Sequence, residues 1–256
     1  MKKLSTLLPL VFAVTVHAAG LPLVVGMELN YPPFEMTDAS GAPAGISVEL
    51  ARALATSLQR PLRIENIAYD GLIPSLKTGK VDLIISSMTA TAERARSVDF
   101  SEPYLKTGLS LLFHKASTAK TLADLDAKGR TVAVKKGTTG HQYATENLKK
   151  ARLLVLDKET NCVLEVAQGR ADAFIYDEMS TYQNWKRHPE QTRTVLKPFR
   201  EESWAVALKK GNATLRKQVN AFLVKFRADG GFDRLGDQFL SEEKRVFKAE
   251  GIPFYF

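Results

Sequence analysis

The stretch of the chain with the most chemical promise is DLIISSMTATAERARSVDF, residues 82–100. It opens on a short apolar run that reads as a buried strand. Ser87 and Thr89 follow at the strand end, where open α/β sheets bind ligands. A charged turn of helix then carries Arg94, with Thr91 placed to cap its first amides. A guanidinium near strand-end hydroxyls can grip a carboxylate with two parallel hydrogen bonds. A second anion site is the helix start at Thr138–Thr139, where backbone amides are free. Asp177 closes the run ADAFIYD at a strand-to-helix turn and offers the opposite charge. A small zwitterion buried in a cleft needs both of its charges answered, and this set answers both.

Other chemistries lack their residues. Gly137-Thr138-Thr139-Gly140 is not followed by the Lys-Ser pair of a phosphate loop. His114, His141 and His188 are scattered without metal-ligand spacing. The single cysteine, Cys162, has no partner for a disulfide and lies in the apolar helical pattern NCVLEVAQG, which predicts packing. No metal and no cofactor are expected.

Positioning these groups takes alternating strands and helices. Strands are predicted over residues 21–27, 62–67 and 82–86, with helices over 46–58 and 72–77 between them; Asp70 is placed to cap the second. In the first helix Ile46, Leu50, Leu54 and Leu58 repeat at spacing four. Two prolines stiffen the loop after the first strand, residues 28–34. The pattern restarts after a strand over 107–114. Strands over 131–134, 153–156 and 172–176 alternate with helices over 121–128, 138–150, 158–168 and 178–187. A linker-like Lys197-Pro198-Phe199-Arg200 precedes a strand over 203–208. Helices over 213–229 and 232–240 end the pattern. The class is α/β, with helices on the faces of largely parallel sheets. The last helices cover the first unit most simply, so the chain crosses twice, near 104–108 and 200–204.

The 256 residues suffice for two modest domains. Lys2 and Lys3 precede an apolar run and then small residues around Ala18 and Ala19, the layout of a cleavable secretory leader over residues 1–18. A soluble periplasmic protein, cut after Ala18 or Ala19, is expected. The formal charge of +8 falls to about +6 without Lys2 and Lys3. The basic residues are scattered, so nucleic acid is not an expected partner.

Several pieces then match a known family in order: Glu28-x-x-Tyr31-Pro32-Pro33-Phe34, Gly71-Leu72-Ile73-Pro74-Ser75-Leu76, Asp82 to Arg94 with Asp99-Phe100-Ser101, Lys135-Lys136-Gly137-Thr138-Thr139, and Gly169-Arg170-Ala171-Asp172-Ala173 leading to Asp177. From about residue 23 to 240 the chain resembles the periplasmic solute-binding proteins for polar amino acids that serve ABC importers (solute-binding family 3). The resemblance implies the type II fold, two α/β lobes with mixed or parallel sheets on a two-strand hinge, closing on a ligand between them. Lobe 1 would take residues 19–104 plus 204–256, and lobe 2 residues 105–203. Arg94 would hold the α-carboxylate, assisted by Thr89, the backbone of Ser87 and the amide of Thr139. Asp177 would take the α-ammonium, Tyr31 and Tyr69 would wall the side chain, and Glu28 would read its tip. Met88 and Lys135 complete the candidate ligand-binding set. Membrane permease subunits are the implied partners of a monomer.

An acidic Glu28 among aromatics favours a cationic tip, and both tyrosines can stack on a guanidinium, so a basic amino acid is the expected ligand. The competing reading is an enzyme. Periplasmic cyclohexadienyl dehydratase uses the same fold, and residues 146–152 are similar to its counterpart there. That lyase needs a glutamate acid three residues past the aspartate, where this chain has Ser180; Glu178 and Glu159 lie elsewhere. A sensor module reporting to a membrane receptor is the third reading.

Overall fold

The computed structural model describes residues 20–252, and the expected leader lies outside them. In chain order the elements begin with β1 (Leu23–Met27), β2 (Asn30–Tyr31), β3 (Glu35–Thr37), β4 (Pro43–Ala44) and α1 (Ile46–Ser57). Then come β5 (Leu62–Asn66), α2 (Leu72–Thr78), β6 (Leu83–Ile84), α3 (Ala92–Ala95) and β7 (Val98–Phe100). A second series follows: β8 (Leu105–His114), α4 (Leu122–Leu125), β9 (Thr131–Lys135), α5 (Thr139–Asn147), β10 (Arg152–Leu156), α6 (Glu159–Ala167), β11 (Ala173–Asp177), α7 (Glu178–Arg187) and β12 (Thr192–Trp204). The chain closes with β13 (Ala207–Lys209), α8 (Ala213–Ala228), α9 (Gly231–Phe239) and α10 (Ser241–Ala249).

These strands form two five-stranded mixed sheets, β5-β1-β6-β13-β7 and β10-β9-β11-β8-β12, and a small antiparallel sheet β2-β3-β4. β1 is parallel to both of its neighbours, which explains its continuous apolar run: a strand covered on both faces has no polar side. Leu23, Val25 and Met27 are fully buried there, and Ile46, Leu50 and Leu54 of α1 pack in the same core. The chain leaves the first sheet after β7, enters the second at β8, and returns between β12 and β13. β8 and β12 run antiparallel beside each other, with a register shift between Val195 and Arg200.

Several features differ from the sequence reading, among them the small β2-β3-β4 sheet, whose first strand lies in the stretch read as a loop, and β7. Residues 192–204 form one long strand rather than a linker and a strand start; Pro198 falls within the register shift, so no ladder donor is required of it. The helix α10 has no counterpart in the apolar pattern; it leans on α7 of the second unit, with Phe247 edge-on to Tyr182 at 5.5 Å and Glu242 2.6 Å from Lys186. Asp70 does not cap α2. It sits in a 3-10 turn, and its carboxylate lies 2.8 Å from Lys136 of the other unit.

Candidate functional site

The carboxyl ends of β1, β6, β9 and β11 point into a gap between the two large sheets. Two close approaches build it. A Cβ on Gly140, in the first turn of α5, would lie 2.6 Å from the Ile175 carbonyl, so only glycine lets α5 start against β11 and bring Thr139 near Asp177. After β6 the chain turns through Ser87 in the left-handed region (φ 47°), an uncommon conformation for a non-glycine residue. This turn aims the Ser87 hydroxyl inward, where it donates to Glu35 Oε2 at 3.1 Å.

The gap holds paired charges from both units. Lys135, 1% exposed, forms a hydrogen-bonded ion pair with Glu28. Tyr31 donates its phenol proton to Asp177 Oδ1 at 2.6 Å, and the same oxygen caps α7 by accepting from the Ser180 amide at 3.0 Å. Thr89 and Thr139, one from each unit, both donate to Glu202 Oε2 at 2.8 Å. Glu35 collects hydroxyl protons from Ser47, Ser86 and Ser87. Aromatic rings floor the gap: Tyr31 stacks on Phe34 at 5.4 Å and meets Tyr176 and Trp204 edge-on at 6.0 Å.

Burial dominates the titration of these acids. It pushes Glu35 up to about 8, against the pull of its three serine donors and Lys135. It raises Asp177 to about 7, opposed by the Tyr31 hydrogen bond and the Ser180 amide. Glu202 is raised for the same reason, with its two threonine donors acting in the opposite direction. The space left among these side chains is about 30 Å³, room for about two water molecules. An amino acid therefore enters only when the sheets part or side chains swing away.

Of the ten residues singled out from sequence, Glu28, Tyr31, Tyr69, Ser87, Thr89, Thr139 and Asp177 line the gap. Lys135 joins them through Glu28 and lies 5.2 Å from the centre of the Tyr69 ring. Arg94 stands at the rim instead. Its guanidinium donates to the carbonyls of Thr89 (2.8 Å) and Gly137 (3.0 Å), bridging the two units, and lies 5.7 Å over Tyr69. Met88 is a correction: its side chain is 1% exposed and packs with Leu72, Leu76 and Val98 in the core. In a turn that alternates inward and outward positions, Met88 takes the core side between Ser87 and Thr89.

Sequence reasoning missed Glu35, Tyr176, Glu202 and Trp204, which also line the gap, as does Thr138 of the expected anion site. Glu35 directly follows the Pro-Pro-Phe turn, but its partners come from distant parts of the chain. Glu202 lay in a stretch read as the approach to a strand. Among the described residues no group of three or more His, Cys, Asp or Glu side chains is disposed to hold a metal ion.

The chain is similar to known proteins over most of its length. The chain is 32% identical over 254 residues to the L-arginine-binding protein of Pseudomonas aeruginosa, covering 94% of this chain and 97% of the relative. An ancestral arginine-binding protein solved with arginine superposes with a TM-score of 0.80 at 32% identity, covering 86% of this chain and 98% of that one. An ancestral amino acid-binding protein described as a precursor of cyclohexadienyl dehydratase gives 0.78 at 35% identity, covering 85% and 95%. Residues 23–242 match the bacterial extracellular solute-binding proteins, family 3, and the chain belongs to that family.

Proposed function

We propose that this protein is the periplasmic substrate-binding component of an ABC importer and closes its two lobes around a basic L-amino acid of the arginine or lysine type. The observation that carries this reading is the charge of the gap. Four carboxylates line it, from Glu28, Glu35, Asp177 and Glu202; Lys135 is paired with Glu28, and Arg200 Nε lies 3.6 Å from Glu202. Acids held above their ordinary range by burial are relieved by a cation placed between them. The arginine-binding relatives support the same ligand class.

The lobes are residues 19–104 plus 204–256 and residues 105–203. As they part, Arg94 exchanges its carbonyl partners for the ligand α-carboxylate, with Thr89, the Ser87 backbone and the Thr139 amide beside it. Asp177 takes the α-ammonium and Tyr31 stays as its second partner. Tyr69 lies between Lys135 and Arg94, where a guanidinium or ammonium of the ligand stacks favourably. Glu28 meets the side-chain tip together with Glu35. Permease subunits in the membrane are the partners, and a monomer delivers the ligand.

Binding rather than lyase chemistry is supported by Ser180. Its hydroxyl stands where the dehydratase carries its acid, and it is spent on Glu159, to which it donates at 2.6 Å. Calorimetric titration with the twenty amino acids, ornithine, citrulline and prephenate tests the reading. Tight binding of arginine, lysine or ornithine is expected. Binding of neutral amino acids alone, or consumption of prephenate, overturns it.

A further inference from the structure

We propose that Glu202 is a built-in carboxylate for the gap, and that the protein therefore also binds primary amines that lack a carboxylate of their own, such as agmatine and cadaverine, the decarboxylated forms of arginine and lysine. The inference rests on the amino-acid reading for the identity of the carboxylate seat.

The amino-acid reading places Thr89 and the amide of Thr139 around the ligand carboxylate. The hydroxyls of both residues already donate to one oxygen of Glu202, each at 2.8 Å, one from each side of the gap. A ligand carboxylate drawing the two lobes together would take hydroxyl protons in this same way. Glu202 arrives from β12, the strand that crosses between the units, so it needs neither lobe to move to reach the seat. Its side chain is 4% exposed. Its other oxygen, Oε1, is buried without a hydrogen-bond partner, and Arg200 Nε stands 3.6 Å away.

Two ionised carboxylates cannot share so small a dry volume, because like charges at this range raise each other's free energy steeply. The seat therefore holds either Glu202 or the carboxylate of an amino acid. An α-amino acid must drive Glu202 out, and the side chain has an outer recess to enter, which it lines beside Arg200 and Glu201. That displacement lowers the apparent affinity for amino acids by the fraction of molecules with the seat occupied. A carboxylate-free amine makes no such demand. With Glu202 left in place, its cationic groups meet Asp177 and Glu35, and the Glu202 charge stays in the gap to balance them. The chain thus supplies internally the anion that an amino acid brings with it.

Isothermal titration of the full-length mature protein with arginine, lysine, agmatine and cadaverine decides the matter, comparing wild type with Glu202→Ala. Wild type is expected to bind agmatine. In Glu202→Ala the ratio of agmatine to arginine dissociation constants is expected to rise at least about tenfold. Should Glu202→Ala fail to fold, Glu202→Gln keeps the shape without the charge and is judged by the same ratio. The proposal is overturned if wild type ignores both amines at millimolar concentration, or if the substitution weakens arginine as much as agmatine. Binding of amines without amino acids would sink the amino-acid reading and leave the role of Glu202 standing; binding of amino acids without amines does the reverse.

Discussion

The interior of the gap and its rim both carry polar contacts between the two units, yet the two regions are built differently. Inside, Lys135 meets Glu28 and Tyr31 meets Asp177 in almost complete isolation from water. At the rim, Lys136 meets Asp70 at 2.8 Å with the two side chains 53% and 39% exposed, and Gln142 of α5 meets Glu93 on the surface. Contact distances alone make these look alike. Solvent separates them: an exposed pair is screened and gives up side-chain freedom for little gain. Breaking a buried pair leaves an uncompensated charge. Ligand recognition should follow the interior, and the rim should matter only for how the lobes meet.

The largest effect expected is at Asp177. Replacing it with alanine removes the interior acceptor for the ligand ammonium and also unpairs the Tyr31 hydroxyl. Binding of a basic amino acid should weaken by about 3–5 kcal/mol, roughly two to three and a half decades in dissociation constant. Calorimetry at pH 8 measures this directly. A loss below tenfold would mean that the interior does not dominate.

Arg94 sharpens the comparison because it stands on the border. From sequence it is an interior anchor; in the structure it is half-buried and spends its donors on two carbonyls, one from each unit. Arg94→Ala should weaken binding by about 1.5–3 kcal/mol, the range for a hydrogen bond to a charged group. A Lys substitution should recover little, since an ammonium lacks the planar fork. If Arg94→Ala changes affinity as much as Asp177→Ala, the guanidinium swings fully inward on binding and the border belongs to the interior.

How far the sequence carried is visible in these same residues. The alternation of short apolar runs and amphipathic helices located most strands and helices of both units, because burial on two faces leaves a plain apolar signature in β1, β6 and β11. The strand-end residues came with it: once β6 and β11 are located, Ser87, Thr89 and Asp177 must stand at their carboxyl ends. What stayed hidden depends on long-range pairing. β12 reads as a linker because it carries a proline and charged residues, and only its ladder with β8 makes it a strand. Glu202 is hidden with it, since a glutamate between a supposed linker and a strand start signals a solvated face. Glu35 is concealed differently: its three serine donors come from α1 and the turn after β6, and no local pattern joins them. Met88 shows the opposite failure, a neighbour of two gap residues that the turn directs into the core.

The acids raised by burial give the comparison a pH axis. Asp177, held near 7, and Glu35, near 8, are largely protonated in slightly acidic solution. A cationic ligand prefers their ionised forms, so affinity should increase from pH 6 to about 8.5, by up to tenfold per unit for each group below its pKa. Stability of the protein without added amino acid should move the other way. A carboxyl whose folded pKa exceeds its unfolded value contributes stability below the unfolded value, near 4, and loses it as pH rises through 7 to 8. Melting temperature against pH, with and without arginine, separates the two slopes; parallel curves would place these carboxyls away from the ligand charge.

The smallest effect is reserved for the rim. Lys136→Ala removes the closest exposed link between α5's entry loop and the turn before α2, where Asp70 lies. Asp70 is held somewhat below the ordinary carboxylate range, chiefly by its hydrogen bond to Lys136. Because water and salt screen this pair, the dissociation constant for a basic amino acid should shift by less than about threefold, and the shift should vanish in 0.5–1 M salt, where the screening length drops to a few ångströms. The same titration on Glu28→Gln provides the internal contrast. It leaves Lys135 buried without its carboxylate partner, and its effect should persist in high salt because the pair is 1% and 12% exposed. A salt-resistant loss at Lys136 equal to that at Glu28 would mean that the rim is dry when the lobes meet, and that exposure does not separate the two regions during binding.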